Sequence, residues 1–262
     1  MKLLDENLNI LDCIEETKEL LVDGVTIGTS GTTGPSKVYH HKPSKLISYA
    51  NLFREKHGFN ENTKSIVYYR RDWIGGLVFL TLPVMLSGGT AHNTDQDHYN
   101  FIKILMTGKY NVCGMSPKGL TIFEKTKNWK DLDLTGITCY YGSDRTAFKG
   151  IETLLKKGAT VVTTYGCSEV GPVILTHTYK NLDDLEKVKS MAIPGMTPIG
   201  YIDNCLCDIK ISNGQVFLKG PCSLFGEEEW YPTGDLAQVN DDGFLWFNQR
   251  IKDAPTEWKL VK

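Results

Sequence analysis

Apolar and polar positions follow two different rhythms along this chain, and the change falls near residue 195. Before it, short apolar runs alternate with stretches of helical spacing. Residues 3–22 place Leu4, Leu8, Leu11, Ile14 and Leu21 on one face of a predicted helix. Val25-Thr26-Ile27 reads as a short strand running into a Gly/Ser/Thr loop. Pro43, suited to a first helical turn, opens a helix predicted through about His57. Ser65 to Tyr69 predicts a strand and Gly75 to Leu86 a buried helix. Asn111-Val112-Cys113 predicts a strand, followed by a helix begun at Ser116-Pro117. Ile137 to Tyr141 is a further strand, 146–157 a helix ended by Gly158, and Thr160 to Thr164 another strand. Such alternation predicts parallel strands with helices on their faces.

After residue 195 the rhythm shortens. Gly and Pro crowd into Pro194-Gly195-Met196-Thr197-Pro198. Short strands are predicted near 206–211, 215–219, 236–239 and 244–248, with Asn213-Gly214 and Asp242-Gly243 as hairpin turns. The charged, helix-permissive stretch 178–193 reads as a connector. The expected fold is therefore α/β, with a parallel or mixed sheet layered with helices, followed by a smaller antiparallel β section. The expected division is a body over 1–185, a β-rich part over 186–250 and a short tail over 251–262.

Composition narrows the function classes. With 262 residues, 41% of them hydrophobic, the chain can bury a substantial core. Lys plus Arg is 29 and Asp plus Glu 31, so nothing pulls it globally toward nucleic acid or an anionic membrane. The longest apolar run, Leu77 to Leu86, is interrupted by Thr81 and Pro83 and is too short to span a bilayer. The start turns acidic at Asp5-Glu6, so no secretory leader is expected and a cytoplasmic location is. Seven cysteines, an odd number in a chain this long, predict reduced thiols rather than a disulfide framework. Cys205-Leu206-Cys207 is the one close pair, and in a strand both thiols would share a face. No Cys/His cluster has zinc-site spacing.

Three segments carry candidate chemistry. Thr29-Ser30-Gly31-Thr32-Thr33-Gly34-Pro35-Ser36-Lys37 follows a strand. Its glycines let backbone N–H groups face an anion, its hydroxyls add donors, and Lys37 adds a charge. That is chemistry for a polyphosphate, and a solvated linker is the plain alternative. The spacing from Gly34 to Lys37 does not fit a Walker loop. Tyr165-Gly166-Cys167-Ser168-Glu169 follows a predicted strand, where ligands of open α/β sheets bind. It offers a ring for a base, a hydroxyl for phosphate and a carboxylate for a cation, and an ordinary turn is the alternative. A nucleophile elbow is disfavoured, because Gly166 to Gly171 is one residue too long. Tyr231-Pro232-Thr233-Gly234-Asp235 is followed by Gln249-Arg250-Ile251-Lys252-Asp253, an Asp and an Arg suited to a ribose or phosphate.

In this order and spacing, the three segments resemble the adenylate-forming (AMP-binding) ligase superfamily, acyl-CoA synthetases among them. Thr29 to Lys37 is similar to its phosphate loop, and Tyr165 to Glu169 to its Tyr-Gly-x-Thr-Glu motif, with Ser168 in the Thr place. Thr233-Gly234-Asp235 is similar to its Thr-Gly-Asp, and Arg250 with Asp253 to its Gly-Arg-x-x-Asp hinge. Trp73-Ile74-Gly75-Gly76-Leu77 resembles the helix lining the acyl pocket, and Tyr141-Gly142-Ser143 the adenine loop. The resemblance implies roles. Thr29, Ser30, Gly31, Thr32, Thr33, Gly34 and Lys37 would hold the outer phosphates of ATP. Gly142, Ser143, Tyr165 and Gly166 would border adenine, and Ser168 would reach the α-phosphate. Glu169 would ligate Mg²⁺, and Asp235 and Arg250 would bond the ribose. Trp73, Gly75 and Gly76 would line the substrate pocket. Lys37 and Glu169 are the implied catalytic groups.

The implied reaction joins a small carboxylic acid to the α-phosphate of ATP, giving an acyl-adenylate and pyrophosphate, with CoA as one implied acceptor. Departures accompany it. The family's Gly-x-Pro-Lys is Gly34-Pro35-Ser36-Lys37 here, Gln249 replaces the hinge glycine, and Gln215 replaces a Glu. Family members also carry a longer region before the loop and a C-terminal domain with a catalytic lysine. Only 12 residues follow Arg250, so the resemblance implies a chain shortened at both ends, with a separate lysine-bearing domain as one implied partner. A non-catalytic AMP- or ATP-binding module is the alternative.

Overall fold

The computed structural model describes residues 2–4, 10–11, 22–28, 38–70 and 73–251. Fifteen strands are seen in that part of the chain, in three sheets. The first sheet has eight: β1 (Lys2–Leu4), β2 (Ile10–Leu11), β5 (Lys64–Val67), β6 (Thr90–Asn93), β7 (Val112–Met115), β8 (Thr138–Gly142), β9 (Thr160–Cys167) and β10 (Gly171–Tyr179). Their order is β10-β9-β8-β7-β5-β6-β1-β2. The six inner strands run parallel, and β10 and β2 close the two edges antiparallel.

Successive residues of each inner strand feed opposite cores, as a pleated strand must. Ile66, Cys113, Tyr141 and Val161 enter one cluster, and Val67, Val112, Tyr140 and Val162 the other. The first is covered by α3 (His98–Leu105), α4 (Pro117–Phe123), α5 (Phe148–Lys156) and α6 (Leu182–Ser190), through Phe101, Phe123, Leu154 and Leu185. The second is covered by α1 (Pro43–His57), a π-turn over Gly75–Phe79 and α2 (Leu82–Leu86). Phe53 of α1 is wholly buried there, stacked on Tyr49 and edge-on to Phe79.

The second sheet is antiparallel throughout, in the order β11-β15-β14-β13-β12. Its strands are β11 (Thr197–Tyr201), β12 (Asp208–Ser212), β13 (Gln215–Lys219), β14 (Tyr231–Val239) and β15 (Phe244–Arg250). Val216, Leu218, Ala237 and Leu245 share a core with Val170, Ile174 and Leu175 at and before β10. A small hairpin of β3 (Val25–Gly28) and β4 (Val38–His41) brackets residues 29–37.

The α/β body and the β-rich section are as the sequence predicts, and α1 and β13 match their expected bounds. Four local readings need correction. Within the helix expected over 3–22, β1 and β2 instead pair with each other, and β1 lies parallel to β6. An available sheet edge overrides helical periodicity there. β9 continues past Thr164 to Cys167, because β10 pairs with it as far as Gly171. The connector at 178–193 is the end of β10 and then α6, capped by Asn181, whose side chain accepts from Asp184 N–H at 2.9 Å.

The helix expected over 75–86 is broken into the π-turn and α2. Thr81 Oγ1 and Asn93 Nδ2 both donate to the Gly76 carbonyl, at 2.9 and 2.7 Å. Side chains thus take a carbonyl that regular helix would use, and the turn widens. A Cβ on Gly76 would overlap the Arg70 carbonyl. Gly76→Ala is expected to cost about 1–3 kcal/mol, the usual range for overpacking. Urea unfolding measures it; a loss under 0.5 kcal/mol, on the order of a surface change, would show that the turn relaxes freely.

Candidate functional site

β9 and β10 are joined by a tight turn in which Cys167 pairs with Gly171. Gly166 is required there, since a Cβ would lie 2.6 Å from the Pro172 carbonyl oxygen and 2.7 Å from that of Gly171. Ser168 and Glu169 sit in the turn itself. The Glu169 carbonyl accepts from Leu224 N–H at 2.9 Å, which ties the turn to the loop before β14.

The Glu169 carboxylate faces the hydroxyls of Tyr39 in β4 and Tyr231 at the start of β14. Burial is the main cause that raises the pKa of both phenols, and the Glu169 charge adds to it. Tyr231 stacks on Phe225 with centroids 4.9 Å apart, and Tyr39 meets Phe225 edge-on at 6.2 Å. His41 lies within reach of the same charge. Burial pulls its pKa down to about 4, with Glu169 opposing, so its ring is neutral at pH 7. Tyr39 stands two residues after Lys37, so the strand leaving the expected phosphate loop arrives beside Glu169. Residues 29–37 themselves, with Thr29, Ser30, Gly31, Thr32, Thr33, Gly34 and Lys37, lie outside the described residues.

A second cluster joins Tyr165, Asp235 and Arg250. Asp235 and Arg250 are cross-strand partners in β14 and β15. Arg250 Nε lies 2.6 Å from Asp235 Oδ1, and the Tyr165 hydroxyl donates to Oδ2 at 2.9 Å. Thr233 ties the backbone of Asp235 to β13: its Oγ1 donates to the Val216 carbonyl at 3.0 Å and accepts from Asp235 N–H at 3.1 Å. Gly234 between them takes φ +76°, a conformation costly for other residues. Asp235 is 1% exposed. Burial raises its pKa, against the lowering by Arg250 and Tyr165. Despite the ion pair, Oδ1 lacks an aligned hydrogen-bond donor.

At the end of β8, Gly142 pairs with Thr164, whose Oγ1 a Cβ would strike. Ser143 takes φ +70°, and the Tyr69 hydroxyl bonds to it. Tyr69 also stands 3.9 Å from the Cβ position of Gly75. The expected pocket residues Gly75 and Gly76 thus adjoin the expected adenine loop. Trp73 stacks under the Arg70 guanidinium, 5.3 Å from its centroid. Arg145 was not singled out from the sequence. It donates to the Asn248 carbonyl at 2.8 Å and covers the Phe247 ring at 5.3 Å, tying the Gly142–Ser143 loop to the strand carrying Arg250. Tyr39 was missed too. Its only sequence signal is an aromatic just after a candidate loop.

Among the described residues, no group of three or more His, Cys, Asp or Glu is arranged to hold a metal ion. No helix among them is long and apolar enough to cross a membrane.

No protein-family model matches the chain. It is 25% identical to a 2-succinylbenzoate–CoA ligase of Staphylococcus aureus, over 86% of this chain and 46% of that one. It also superposes on O-succinylbenzoate coenzyme A synthetase of Bacillus subtilis in complex with ATP and magnesium ion. The TM-score is 0.70 at 20% identity, covering 90% of this chain and 52% of that one. The same Bacillus enzyme in complex with its acyl-adenylate intermediate gives 0.68 at 19% identity, over 87% and 62%. The chain spans about half the length of the relatives it matches. The chain is thus similar in sequence to a CoA ligase over about half of that enzyme's length, and it shares the fold of the corresponding part of the Bacillus synthetase.

Proposed function

We propose that this chain binds ATP with Mg²⁺ and activates a small carboxylic acid to an acyl-adenylate, for later transfer to an acceptor such as CoA. The observation that carries this reading is the convergence of Tyr165, Asp235 and Arg250 from three strands, with carboxylate and guanidinium side by side. Arg250, 36% exposed, is the member of the trio that a ribose hydroxyl or phosphate would meet first. The nucleotide would sit where the body over 1–185 meets the β-rich part over 186–250. Tyr165, Gly166 and the Gly142–Ser143 loop would border the base, and Ser168 would reach the α-phosphate. Trp73, Gly75 and Gly76 would border the acid.

Glu169 is the group suited to Mg²⁺, a hard oxygen donor in the turn nearest the hairpin that brackets 29–37. Mg²⁺ there would neutralise phosphate charge. Thr29 to Gly34 and Lys37 would hold the outer phosphates. The protein's part is to fix the acid against the α-phosphate, which raises the effective concentration of the two groups.

Three measurements test the reading. ATP with Mg²⁺ at a hundredfold excess over Kd is expected to stabilise the fold by about 2.7 kcal/mol. Lys37→Ala should weaken ATP by about 1.5–3 kcal/mol and leave AMP nearly unchanged, since Lys37 is assigned to the outer phosphates. Equal losses for both nucleotides would sink that assignment. Acid-dependent exchange of labelled pyrophosphate into ATP then separates the enzyme from a binding module. Exchange with one member of an acid panel supports the enzyme, with or without an added lysine-bearing domain. Tight AMP binding with no exchange in any combination would make the chain a non-catalytic nucleotide binder.

A further inference from the structure

Cys205 and Cys207 lie outside every residue assigned to nucleotide or acid. Their sulfurs are 3.6 Å apart, and both residues are half-buried rather than sealed in the core. The contrast is with Cys113 and Cys139, which are wholly buried between the central strands.

The backbone around the pair is held from three sides. Cys205 N–H bonds the Ile202 carbonyl at 3.0 Å, and Leu206 N–H bonds the Ile174 carbonyl of β10 at 2.7 Å. At the end of β13, Gly220 comes so close that a Cβ would lie 2.8 Å from Cys207 Cβ. These constraints turn both thiols the same way. They border a cavity of about 330 Å³, shared with Asp208, Lys219 and Gly220. Lys56 of α1 donates to the Asn204 carbonyl, and its ammonium lies beside Cys205.

We propose that Cys205 and Cys207 form a dithiol exchange site, which a small-molecule disulfide entering this cavity converts reversibly to an intrachain disulfide. Cys205 is the attacking sulfur. The hydrogen bond from Cys207 is the main cause that lowers its pKa, burial opposes it, and backbone N–H groups and Lys56 add to the lowering. Cys207 keeps its proton, pushed up chiefly by that same bond. The thiolate is the reactive form in such exchange.

The Cys205 thiolate attacks one sulfur of the small disulfide, forming a mixed disulfide and releasing one thiolate. The Cys207 sulfur then attacks Cys205 Sγ, its proton passes to a released thiolate, and the second small thiol leaves. Two protein thiols are oxidised and one small disulfide is reduced to two thiols. Closing the bond brings the sulfurs from 3.6 Å to about 2.05 Å. Rotation of the two side chains about their Cα–Cβ bonds supplies the approach while the backbone bonds stay in place. A bond across one intervening residue is strained, and strained disulfides are the readily reduced ones.

The experiment is oxidation of the reduced full chain with glutathione disulfide over a range of glutathione redox ratios, followed by alkylation and peptide mass mapping. Cys205 and Cys207 should lose their alkylation sites together, with an internal disulfide in their shared peptide that excess reduced glutathione reverses. Cys207→Ser should stop at a glutathione adduct on Cys205, and Cys205→Ser should slow modification of Cys207 at least tenfold. If a variant fails to fold, the wild-type map alone decides. Full alkylation of both thiols at every ratio, a stable wild-type adduct, or a bond to Cys167 or Cys222 instead would each overturn the proposal.

Discussion

Glu169→Gln is expected to slow acid-dependent pyrophosphate exchange a hundred- to a thousandfold, the usual loss when one preorganised electrostatic group is removed. Gln keeps the shape and still accepts from the two facing hydroxyls of Tyr39 and Tyr231. The turn also stays tied by the Glu169 backbone carbonyl, through Leu224 N–H at 2.9 Å. Stability should therefore change little, and the loss should appear as a higher Mg²⁺ requirement. A second reading needs no activity. Glu169 adds to the raised pKa of the Tyr39 phenol, so in the Gln variant that ring should form tyrosinate at lower pH than in wild type, followed by the NMR signal of labelled Tyr39. Exchange within threefold of wild type at all Mg²⁺ concentrations would remove Glu169 from the metal role. An unchanged tyrosinate titration would mean that the carboxylate does not face that ring.

The body of the fold was legible because its signals are local. Pro43 at a first turn, Ser116 capping Pro117–Phe123, and the Asn213-Gly214 turn each announce their element within a few residues. β10 was not legible, because Gly171-Pro172 reads as a break and only pairing with β9 makes it a strand. α3 was missed although Asp97 caps it, accepting from Tyr99 and Asn100 N–H at 3.0 Å. The cap was the available signal there. β6 supplies His92 and Asn93, polar residues that ordinary strand patterning does not favour, yet both are buried.

The candidate site divides in the same way. Tyr165, Asp235 and Arg250 could be named because each lies in a motif that resembles the ligase superfamily, and the fold joins Tyr165 to Asp235 across 70 residues of chain and Asp235 to Arg250 across the β14–β15 pair. Tyr39 and Arg145 act by contacts made only after folding, with Glu169 on one side and β15 on the other. No local pattern marks such residues. The motif expected to follow the strand begins inside it, since β9 runs through Cys167, so Tyr165 is fixed by pairing with Leu175.

Arg250→Met should destabilise the protein in a pH-dependent way. Asp235 is 1% exposed and its pKa is raised, because burial outweighs the attraction of Arg250. A carboxyl with a raised folded-state pKa contributes stability below its unfolded value, near 4, and loses it as pH rises through the folded value. Removing Arg250 takes away the lowering contribution, so the folded pKa climbs further and the loss grows toward neutral pH. Breaking a buried pair costs about 3–5 kcal/mol. Arg250 is 36% exposed, so solvent screening places the expected loss at the lower end, about 3 kcal/mol at pH 8. Toward pH 4 the raised pKa leaves less of the carboxyl charged in the folded state, and the variant should lose less there than at pH 8. Pairing the change with Asp235→Asn should recover most of the pH 8 loss, because no buried charge is then left. Urea unfolding of the three variants at pH 4, 6 and 8 decides it. An Arg250→Met loss of the same size at all three pH values would show that the arginine contributes packing, and that the Asp235 charge is not what it holds in place.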